Sequence, residues 1–339
     1  MKKIEYSDIN QVLAYMAELP AMDTIKADQA YQRQQQLTKP PGSLGRLEDI
    51  AIWLAGWQGQ EKPRIHAPAC LIFAGNHGVA LNGVSAFPPE VTEQMVLNFQ
   101  HGGAAINQLC QSAGASLNVF SLLLDQPTAD FSEQPAMSIA ETLSAMQIGA
   151  DAIPDDADLI LPGEMGIGNT SSAAALSHLV FGGHAETWTG RGTGVDDDRL
   201  AHKISVITKA VNRVKDNTLD PVTMLSELGG RELAAIAGCV LAARLRRIPV
   251  LLDGFISTAA CLPLWASDNS ALDHCQISHY SKEPGHRHVI HALGKPAILD
   301  LDLRLGEASG AAIALQIVKS ALATHNGMAT FAEAGVSDG

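Results

Sequence analysis

The chain alternates short apolar runs with longer segments in which apolar positions recur at the helical period. The runs lie at residues 70–74, 116–124, 157–161, 186–189, 248–252 and 297–305, and all but the second lead into a glycine-bearing loop. Leu200, Ile204, Ile207, Val211 and Val214 form one apolar stripe of a helix. Strands that alternate with helices of this length predict right-handed βαβ units, and therefore an α/β fold with a parallel sheet flanked by helices.

The glycine-rich loops are predicted to meet at one edge of this sheet. Ligands bind at the carboxyl ends of the strands in an open parallel sheet, so we expect a single cleft there. The N-terminal part differs, because residues 1–36 predict polar helices with a break near Pro20. Residues 37–48 carry two prolines and two glycines, which predict a linker before a helix at residues 47–57.

Composition narrows the class of protein. Of the 339 residues, 46% are apolar, which is enough for a sizeable core. The net charge of −13 argues against nucleic acid as a partner, although a local site can still bind an anionic small molecule. The sequence has no signal-peptide pattern at its start and no run of about 18 apolar residues, so we expect a cytoplasmic chain without a membrane partner. Five cysteines without a C-x-x-C pair fit reduced thiols.

The segment 163–172 is a candidate phosphate site. It leaves a predicted strand with three glycines, two of them Gly166 and Gly168, and enters a helix through Asn169, Thr170 and Ser171. The N–H groups at such a helix start bind anions. The segment is neither a P-loop nor a complete dinucleotide fingerprint. An ordinary strand-to-helix turn with a capped helix explains the spacing equally well.

A second loop of this kind spans residues 190–198. Gly192 and Gly194 would let the backbone approach a ligand, and one or more of Asp196, Asp197 and Asp198 should cap the next helix. Lys203 lies in the first turns of that helix, where it would add a positive charge to the cleft. The alternative for Lys203 is a solvated surface lysine.

Two glutamates are candidates for acid–base chemistry. Glu164 and Glu307 each follow a predicted strand beside a glycine, where a carboxylate can serve as a general base or accept a hydrogen bond from the ligand. The alternative is a solvated loop glutamate. Asp300, Asp302 and Arg304 alternate on a predicted strand and indicate a structural set of ion pairs.

Six histidine and cysteine residues crowd the segment 274–291, which raises the question of a metal. Their spacing matches no tetrahedral site, and the cysteines are not paired. Ser278, Ser281 and Gly285 in the same segment fit a polar loop that contacts a ligand. We therefore expect no metal.

Several long motifs, in the same order along the chain, resemble the nicotinate-nucleotide:dimethylbenzimidazole phosphoribosyltransferase family. They span nearly the whole chain and lie at residues 38–45, 163–170, 190–194, 228–232, 253–255, 301–307 and 331–336. An ordered set of motifs is far more specific than any one of them.

The resemblance implies a homodimer with a Rossmann-like sheet. Residues 61–305 would form the large α/β domain, and residues 1–60 and 306–339 a smaller helical domain built from both chain ends. It also implies that Glu307 is the general base and that Glu164 contacts substrate. The loop at Gly166 and Lys203 would hold the nucleotide, and the loop around Ser85 would flank the base pocket.

The reaction implied is transfer of phosphoribose from nicotinate mononucleotide to 5,6-dimethylbenzimidazole, with inversion and without a metal or organic cofactor. Its product, α-ribazole 5′-phosphate, belongs to the nucleotide loop of cobalamin. A relative that uses adenine, another benzimidazole or a phenol remains the serious alternative. A non-catalytic nucleotide-binding module and a dinucleotide-dependent oxidoreductase are weaker ones. Asn76 and Ala308 depart from the family pattern, and Ala308 is expected to narrow the choice of base.

Overall fold

The computed structural model describes residues 3–192, 194, 196–215 and 217–337. Within these residues, one sheet of five parallel strands runs in the order β2-β1-β3-β4-β5. The strands are β1 Pro68–Ala74, β2 Ser116–Ser121, β3 Leu159–Met165, β4 Val250–Leu252 and β5 Cys275–Ile277. The predicted α/β class with a parallel sheet is confirmed.

Sixteen α-helices in the described residues surround this sheet. The helices before β3 are α1 Ile9–Ala17, α2 Thr24–Gln36, α3 Arg46–Gln58, α4 Glu90–Gln100, α5 Ala105–Ala113 and α6 Ile139–Asp151. Between β3 and β4 lie α7 Asn169–Phe181, α8 Ala185–Trp188, α9 Asp197–Val214, α10 Pro221–Leu228 and α11 Arg231–Leu245. The last group is α12 Phe255–Ala260, α13 Leu262–Ser267, α14 Pro284–Leu293, α15 Ser309–Gly327 and α16 Phe331–Ala334.

Helices cover both faces of the sheet, which explains why the central strand β1 is apolar throughout. Every residue of β1 is buried. Leu71 and Phe73 contribute to the core beneath α6, α7 and α11, whereas Cys70 and Ile72 contribute to the core beneath α3, α5 and α15. The period of two along the strand thus divides the apolar side chains between two cores.

The two chain ends lie against each other. Leu37 forms an isolated antiparallel bridge with Thr330, and the Arg33 guanidinium donates to backbone carbonyls of His325 and Met328. Helix α3 packs on α15, and both helices also contribute to the core on one face of the sheet. The division into a small domain (1–60 and 306–339) and a large one (61–305) stays a prediction.

Helix boundaries follow the local capping chemistry. Asp8, Asp23 and Asp220 each accept a backbone N–H from the first turn of the helix that follows. Asp196 does the same for α9, as predicted for the acidic run there. The predicted apolar stripe of α9 is also confirmed, since Ile207, Val211 and Val214 are buried against the core.

Two predicted strands are wrong. Residues 186–189 belong to the short helix α8 and its C-cap, held by the stacking of Trp188 on the Phe181 ring and a hydrogen bond from the Thr189 hydroxyl to the Ala185 carbonyl. Residues 297–305 form no strand, only a single bridge between Leu299 and His279. Charged residues interrupt this run, and Leu301 and Leu305 are exposed.

The set of ion pairs predicted among Asp300, Asp302 and Arg304, in the run 297–305, is also incorrect. Asp300 pairs with Arg287, and Asp302 lies 3.4 Å from the Lys282 ammonium, so the partners come from outside the run. The sequence reading also missed β5, because three residues are too few to show a period. Strand β3 extends to Met165, so that Glu164 belongs to the strand itself and not to the loop after it.

Candidate active site

A pocket opens at the carboxyl edge of the sheet, where the predicted loops converge. Its wall comes from the end of β3, the start of α7, the segments after β4 and β5, and residues 304–306. The wall includes Glu164, Gly166, Asn169, Thr170, Gly192, Asp253, His279, Ser281, Glu283 and Gly306. Six of these residues were candidates from the sequence, so the single cleft expected at this edge is present.

The start of α7 forms one side of the pocket. Gly168 is the N-cap and has φ 99°, a left-handed conformation that glycine adopts without strain. At Gly166, a Cβ atom would lie 2.7 Å from the Glu232 carboxylate and 2.7 Å from the Gly75 carbonyl, so a side chain has no room. No side chain caps α7. The N–H groups of Asn169 and Ser171 donate to the carbonyls of Gly166 and Gly168, and the positive end of the helix dipole at the pocket wall is suited to an anion.

Lys203 lies beside this helix start and is buried, which rules out the surface alternative. Its ammonium donates to the Thr170 hydroxyl at 2.8 Å and to the Gly190 carbonyl at 3.3 Å. Burial lowers the pKa of Lys203 to about 8, and the opposing effect of the Glu283 charge is smaller. The lysine therefore carries most of a positive charge at neutral pH, one residue behind the pocket wall.

Glu283 is a site residue that the sequence reading missed. Its carboxylate is buried, and Oε2 has no hydrogen-bond partner among the described residues. Burial raises the pKa of Glu283, and Lys203 opposes that shift. The neighbouring Ser281 accepts the Glu283 backbone N–H at its hydroxyl and donates its own N–H to His286 Nδ1. In the sequence, the only feature that could have indicated Glu283 as a site residue was its position between Ser281 and the proline at which α14 begins.

Glu164 projects into the pocket from the end of β3. Its Oε2 accepts a hydrogen bond from the Asn169 side-chain amide. Burial, followed by the charge of Asp253, raises the pKa of Glu164 well above its usual value. A carboxyl with a raised pKa keeps its proton to higher pH, and in the protonated form it can donate one hydrogen bond and accept others.

Glu307 lies in a turn with an uncommon backbone. Gly306, Glu307 and Ala308 have φ angles of 84°, 60° and 58°. The Glu307 side chain is buried but does not itself line the pocket wall, whereas the preceding Gly306 does. Burial, and then the charge of Asp253, raises the pKa of Glu307 to about 7. A carboxyl that titrates at this pH is suited to general-base chemistry.

The two glutamates meet at Gly306. A Cβ atom on this glycine would lie 2.2 Å from Oε1 of Glu164, so the turn that carries Glu307 packs directly on the Glu164 carboxyl. Ser309 does not cap α15, although a serine just after Ala308 would be suited to that role. Ala308 is the N-cap without a side-chain hydrogen bond, and the buried Ser309 hydroxyl has no partner among the described residues.

Four further candidate residues lie outside the pocket wall. Ser171 is fully buried in α7, and Gly168 precedes that helix. The Ser85 hydroxyl accepts the Phe87 N–H in a half-buried loop. Gly194 has φ 119° and open space at its Cβ position, and its motif neighbour Thr193 lies outside the described residues.

Asn76 and Ala308, the two residues that depart from the family pattern, are also not part of the pocket wall. Asn76 donates its amide to the Leu124 carbonyl, while its Oδ1 has no partner in the described part of the chain. The Ala308 methyl is buried against Gly163 of β3. It does not face the pocket, which contradicts the expectation that it narrows the choice of base.

The histidine-rich segment does not assemble into a cluster. His274 packs edge-on against Trp57, His286 contacts the Thr258 hydroxyl, and His279 lines the pocket alone. No group of three or more potential ligands that could hold a metal ion occurs among the residues that the structure describes. In the same residues, no helix is both long and apolar enough to cross a membrane.

An α/β fold with an anion-binding helix start, a buried lysine and a set of carboxyls at one sheet edge defines an enzyme that transfers groups from a nucleotide. A family model described as phosphoribosyltransferase, DBI_PRT, matches residues 19–336. The chain belongs to this phosphoribosyltransferase family.

Individual relatives make the similarity more specific. The chain is 55% identical over 333 residues to the nicotinate-nucleotide–dimethylbenzimidazole phosphoribosyltransferase of Ruegeria pomeroyi, covering 98% of each chain. It is 52% identical to the protein of the same name from Methylorubrum extorquens, covering 100% of this chain and 99% of the relative. The crystal structure of the corresponding enzyme from Thermus thermophilus matches with a TM-score of 0.88 at 40% identity, covering 94% of this chain and 100% of that one.

Proposed function

We propose that this protein transfers the phosphoribosyl group of nicotinate mononucleotide to 5,6-dimethylbenzimidazole with inversion, releasing nicotinate and forming α-ribazole 5′-phosphate for cobalamin. Relatives with this name are similar along nearly the full length of the chain. The single observation that carries the proposal is a pocket that combines a helix start suited to an anion with Gly306, the residue directly before Glu307, whose buried carboxyl has a pKa of about 7.

The nucleotide phosphate binds at the start of α7 in this proposal. The helix start supplies backbone N–H groups and the Thr170 hydroxyl, and Lys203 supplies the balancing charge through its contact with Thr170. Gly192 lies close by, because a Cβ atom there would be 3.6 Å from the lysine ammonium. Ser281 adds a polar group on the opposite wall.

Glu164 binds the sugar and does not act as the base. Its pKa is raised well above the usual value, and with Oε2 held by the Asn169 amide the carboxyl group can contact a ribose hydroxyl. Glu164 thus orients the ribose toward the incoming base.

Glu307 takes the proton from the attacking base. The lone pair of one benzimidazole nitrogen attacks the anomeric carbon as the bond to nicotinate breaks, and the other nitrogen loses its proton to the Glu307 carboxylate. A base that is matched to neutral pH contributes about 10² to 10⁴ in rate. The remaining acceleration comes from holding both rings in line. No step requires a metal or an organic cofactor.

The protein acts as a cytoplasmic homodimer in this proposal. Leu81, Phe87, Leu301 and Leu305 are large apolar side chains that are exposed, and Leu81 is 81% exposed. A subunit contact that covers them would remove this apolar surface from water. Light scattering coupled to size exclusion should give twice the mass of the 35.8 kDa chain.

The acceptor base is the part of the proposal most in need of an experiment. Purified protein would be given nicotinate mononucleotide with 5,6-dimethylbenzimidazole, unsubstituted benzimidazole, adenine or a phenol in separate reactions. We expect nicotinate release and an α-linked riboside phosphate, fastest with 5,6-dimethylbenzimidazole. Faster turnover of adenine or a phenol would assign a different acceptor, and no turnover with any base would leave a nucleotide-binding module.

A further inference from the structure

The turn that presents Glu307 is strained and needs support from outside itself. Glu307 and Ala308 are not glycines, yet both adopt left-handed φ angles of 60° and 58°. Such residues are energetically unfavourable and persist only where the surroundings hold them. The turn also lacks a cap of its own, since neither Ala308 nor Ser309 makes a side-chain capping bond to the first turn of α15.

Asp253, at the end of β4, supplies that support. Its carboxyl group is 1% exposed, and Oδ1 accepts the backbone N–H of Ala311 at 2.9 Å. Backbone N–H groups of Ala311, Gly310 and Ala308 together lower the pKa of Asp253, against the larger effect of burial, which raises it to about 7. The first turn of α15 is therefore tied to β4 by a carboxylate from another element, at the favourable end of the helix dipole.

His279 closes the other side of this carboxylate. Its Nδ1 lies 3.7 Å from Oδ1 of Asp253, and the ring occupies the space that a Cβ atom on Gly310 would fill, at 2.0 Å from Nδ1. Burial lowers the pKa of His279 to about 4, so the ring is neutral at pH 7 and brings no positive charge.

Arg304 lines the same pocket wall as Asp253, and two carboxyls lie within reach of the Asp253 charge. Glu307 and Glu164 both respond to its charge, and Glu164 responds to the charge of Glu232 as well. The Glu164 carboxyl also receives the Asn169 amide. A negative charge on Asp253 makes the loss of a proton from Glu307 less favourable, because like charges in a buried site repel.

We propose that Asp253 is a positioning residue for Glu307: it anchors the strained turn through the first turn of α15, and its negative charge sets the basicity of the Glu307 carboxylate. Asp253 acts through Glu307 and takes no proton from the base itself. This inference rests on the proposed role of Glu307 as general base.

The test is the pH dependence of turnover with nicotinate mononucleotide and 5,6-dimethylbenzimidazole for the wild type and four variants. Asp253→Asn keeps an oxygen for the Ala311 N–H but removes the charge. We expect its acid limb, the pH range in which turnover falls as the base is protonated, to move to lower pH by at least half a unit. Its turnover at pH 8 should fall about two- to fivefold because a weaker base remains, and its nucleotide Kd should stay within threefold. Asp253→Ala removes the anchor as well and should lose at least as much turnover.

The matched control is Asp220→Asn. Asp220 accepts the N–H groups of Val222 and Thr223 at the start of α10, so this variant also weakens a helix-start carboxylate. It should keep the wild-type acid limb and turnover. Thermal unfolding of each variant shows whether the fold is retained, and Asp253→Asn decides the question if Asp253→Ala does not fold.

Glu307→Gln separates the two possible failures. If this variant loses the acid limb and most of its turnover while Asp253→Asn retains the wild-type limb and rate, the role of Asp253 is wrong and the base assignment stands. If Glu307→Gln keeps near-normal turnover, both the base assignment and the inference built on it are wrong.

Discussion

Two parts of the pocket region differ in how their charged groups are surrounded. The first is the proposed nucleotide side, formed by the start of α7 and Lys203, and the second is the carboxyl side, formed by Glu164, Asp253 and Glu307. On the nucleotide side, the Lys203 ammonium has two oxygen partners, and the left-handed positions around it are glycines. On the carboxyl side, burial raises the pKa values of Glu164, Asp253 and Glu307, and no cation in the described residues lowers them. Two residues of this side, Glu307 and Ala308, have left-handed φ angles although they are not glycines. The nucleotide side is suited to binding an anion, whereas the carboxyl side holds buried acidic groups and an unfavourable backbone conformation.

This difference assigns separate tasks to the two sides. A satisfied lysine beside a helix start stabilises an anion in the ground state, which contributes binding. Carboxyls whose pKa values are pushed upward by burial and by one another can change protonation near neutral pH. Variants on the two sides should therefore differ in which kinetic constant they change, and that distinction can be measured.

The largest effect is expected from Glu307→Gln. The amide keeps the shape of the side chain but cannot accept the proton of the benzimidazole nitrogen, so turnover should fall by about 10² or more. Binding of both substrates should change by less than about tenfold. Steady-state kinetics with calorimetric titrations measures both quantities, and Glu186→Gln, at an exposed position in α8, is the matched control. Near-normal turnover of Glu307→Gln would assign the base to Glu164 or to solvent.

The next largest effect belongs to the nucleotide side. Lys203→Ala removes the buried cation beside Thr170, and we expect nicotinate mononucleotide to bind about 10- to 100-fold more weakly, with little change in the affinity for the benzimidazole. Lys209→Ala is the control, because Lys209 lies on the same helix but is exposed and pairs with Glu133. Equal nucleotide affinity of the Lys203 variant and the wild type in calorimetry would remove Lys203 from the site.

A smaller effect is expected at Glu164, although it lies next to Glu307. Burial raises the pKa of Glu164 well above its usual value, and glutamine keeps the shape of the side chain and an oxygen that can accept from Asn169. Glu164→Gln should change substrate affinity by about three- to tenfold and change turnover no more than that. A turnover loss as large as that of Glu307→Gln, with unchanged affinity, would show that the two glutamates have been assigned the wrong way round.

No effect is expected from removal of metals. The proposed displacement has no step that needs a Lewis acid. Activity should be unchanged after exhaustive dialysis against a chelator, and elemental analysis should find no stoichiometric zinc. One tightly bound metal per chain, with activity lost on its removal and restored on its return, would contradict the proposed chemistry.

The two sides also differ in how far the sequence alone could predict them. The helix start at Asn169, the cap at Asp196 and the glycines between them are local features, and each leaves a mark on neighbouring residues. The carboxyl side depends on contacts between distant segments. The sequence placed Glu307 after a strand that does not exist, and the local pattern gave Glu164 and Glu307 equal standing as candidates. Only the resemblance to a family chose Glu307 as the base.

The missed residues have the same physical cause. Asp253 matters because β4 brings it to the start of α15, and His279 because it packs into the space beside Gly310. Neither relation is visible in a local pattern. Helix-period segments and the βαβ alternation predicted most of the sheet, whereas β5 was too short to detect and residues 186–189 formed a helix held by aromatic stacking.

The pH dependence of turnover in the wild type and in Glu307→Gln, measured side by side, tests the central claim most directly. Glu307 is active as a base only when it is ionised, so wild-type turnover should fall about tenfold per pH unit below its pKa of about 7 and level off above it. Glu307→Gln should be slow at every pH and should show no such acid limb. An acid limb near pH 7 that survives unchanged in Glu307→Gln would contradict the account, because some other group would then be the base.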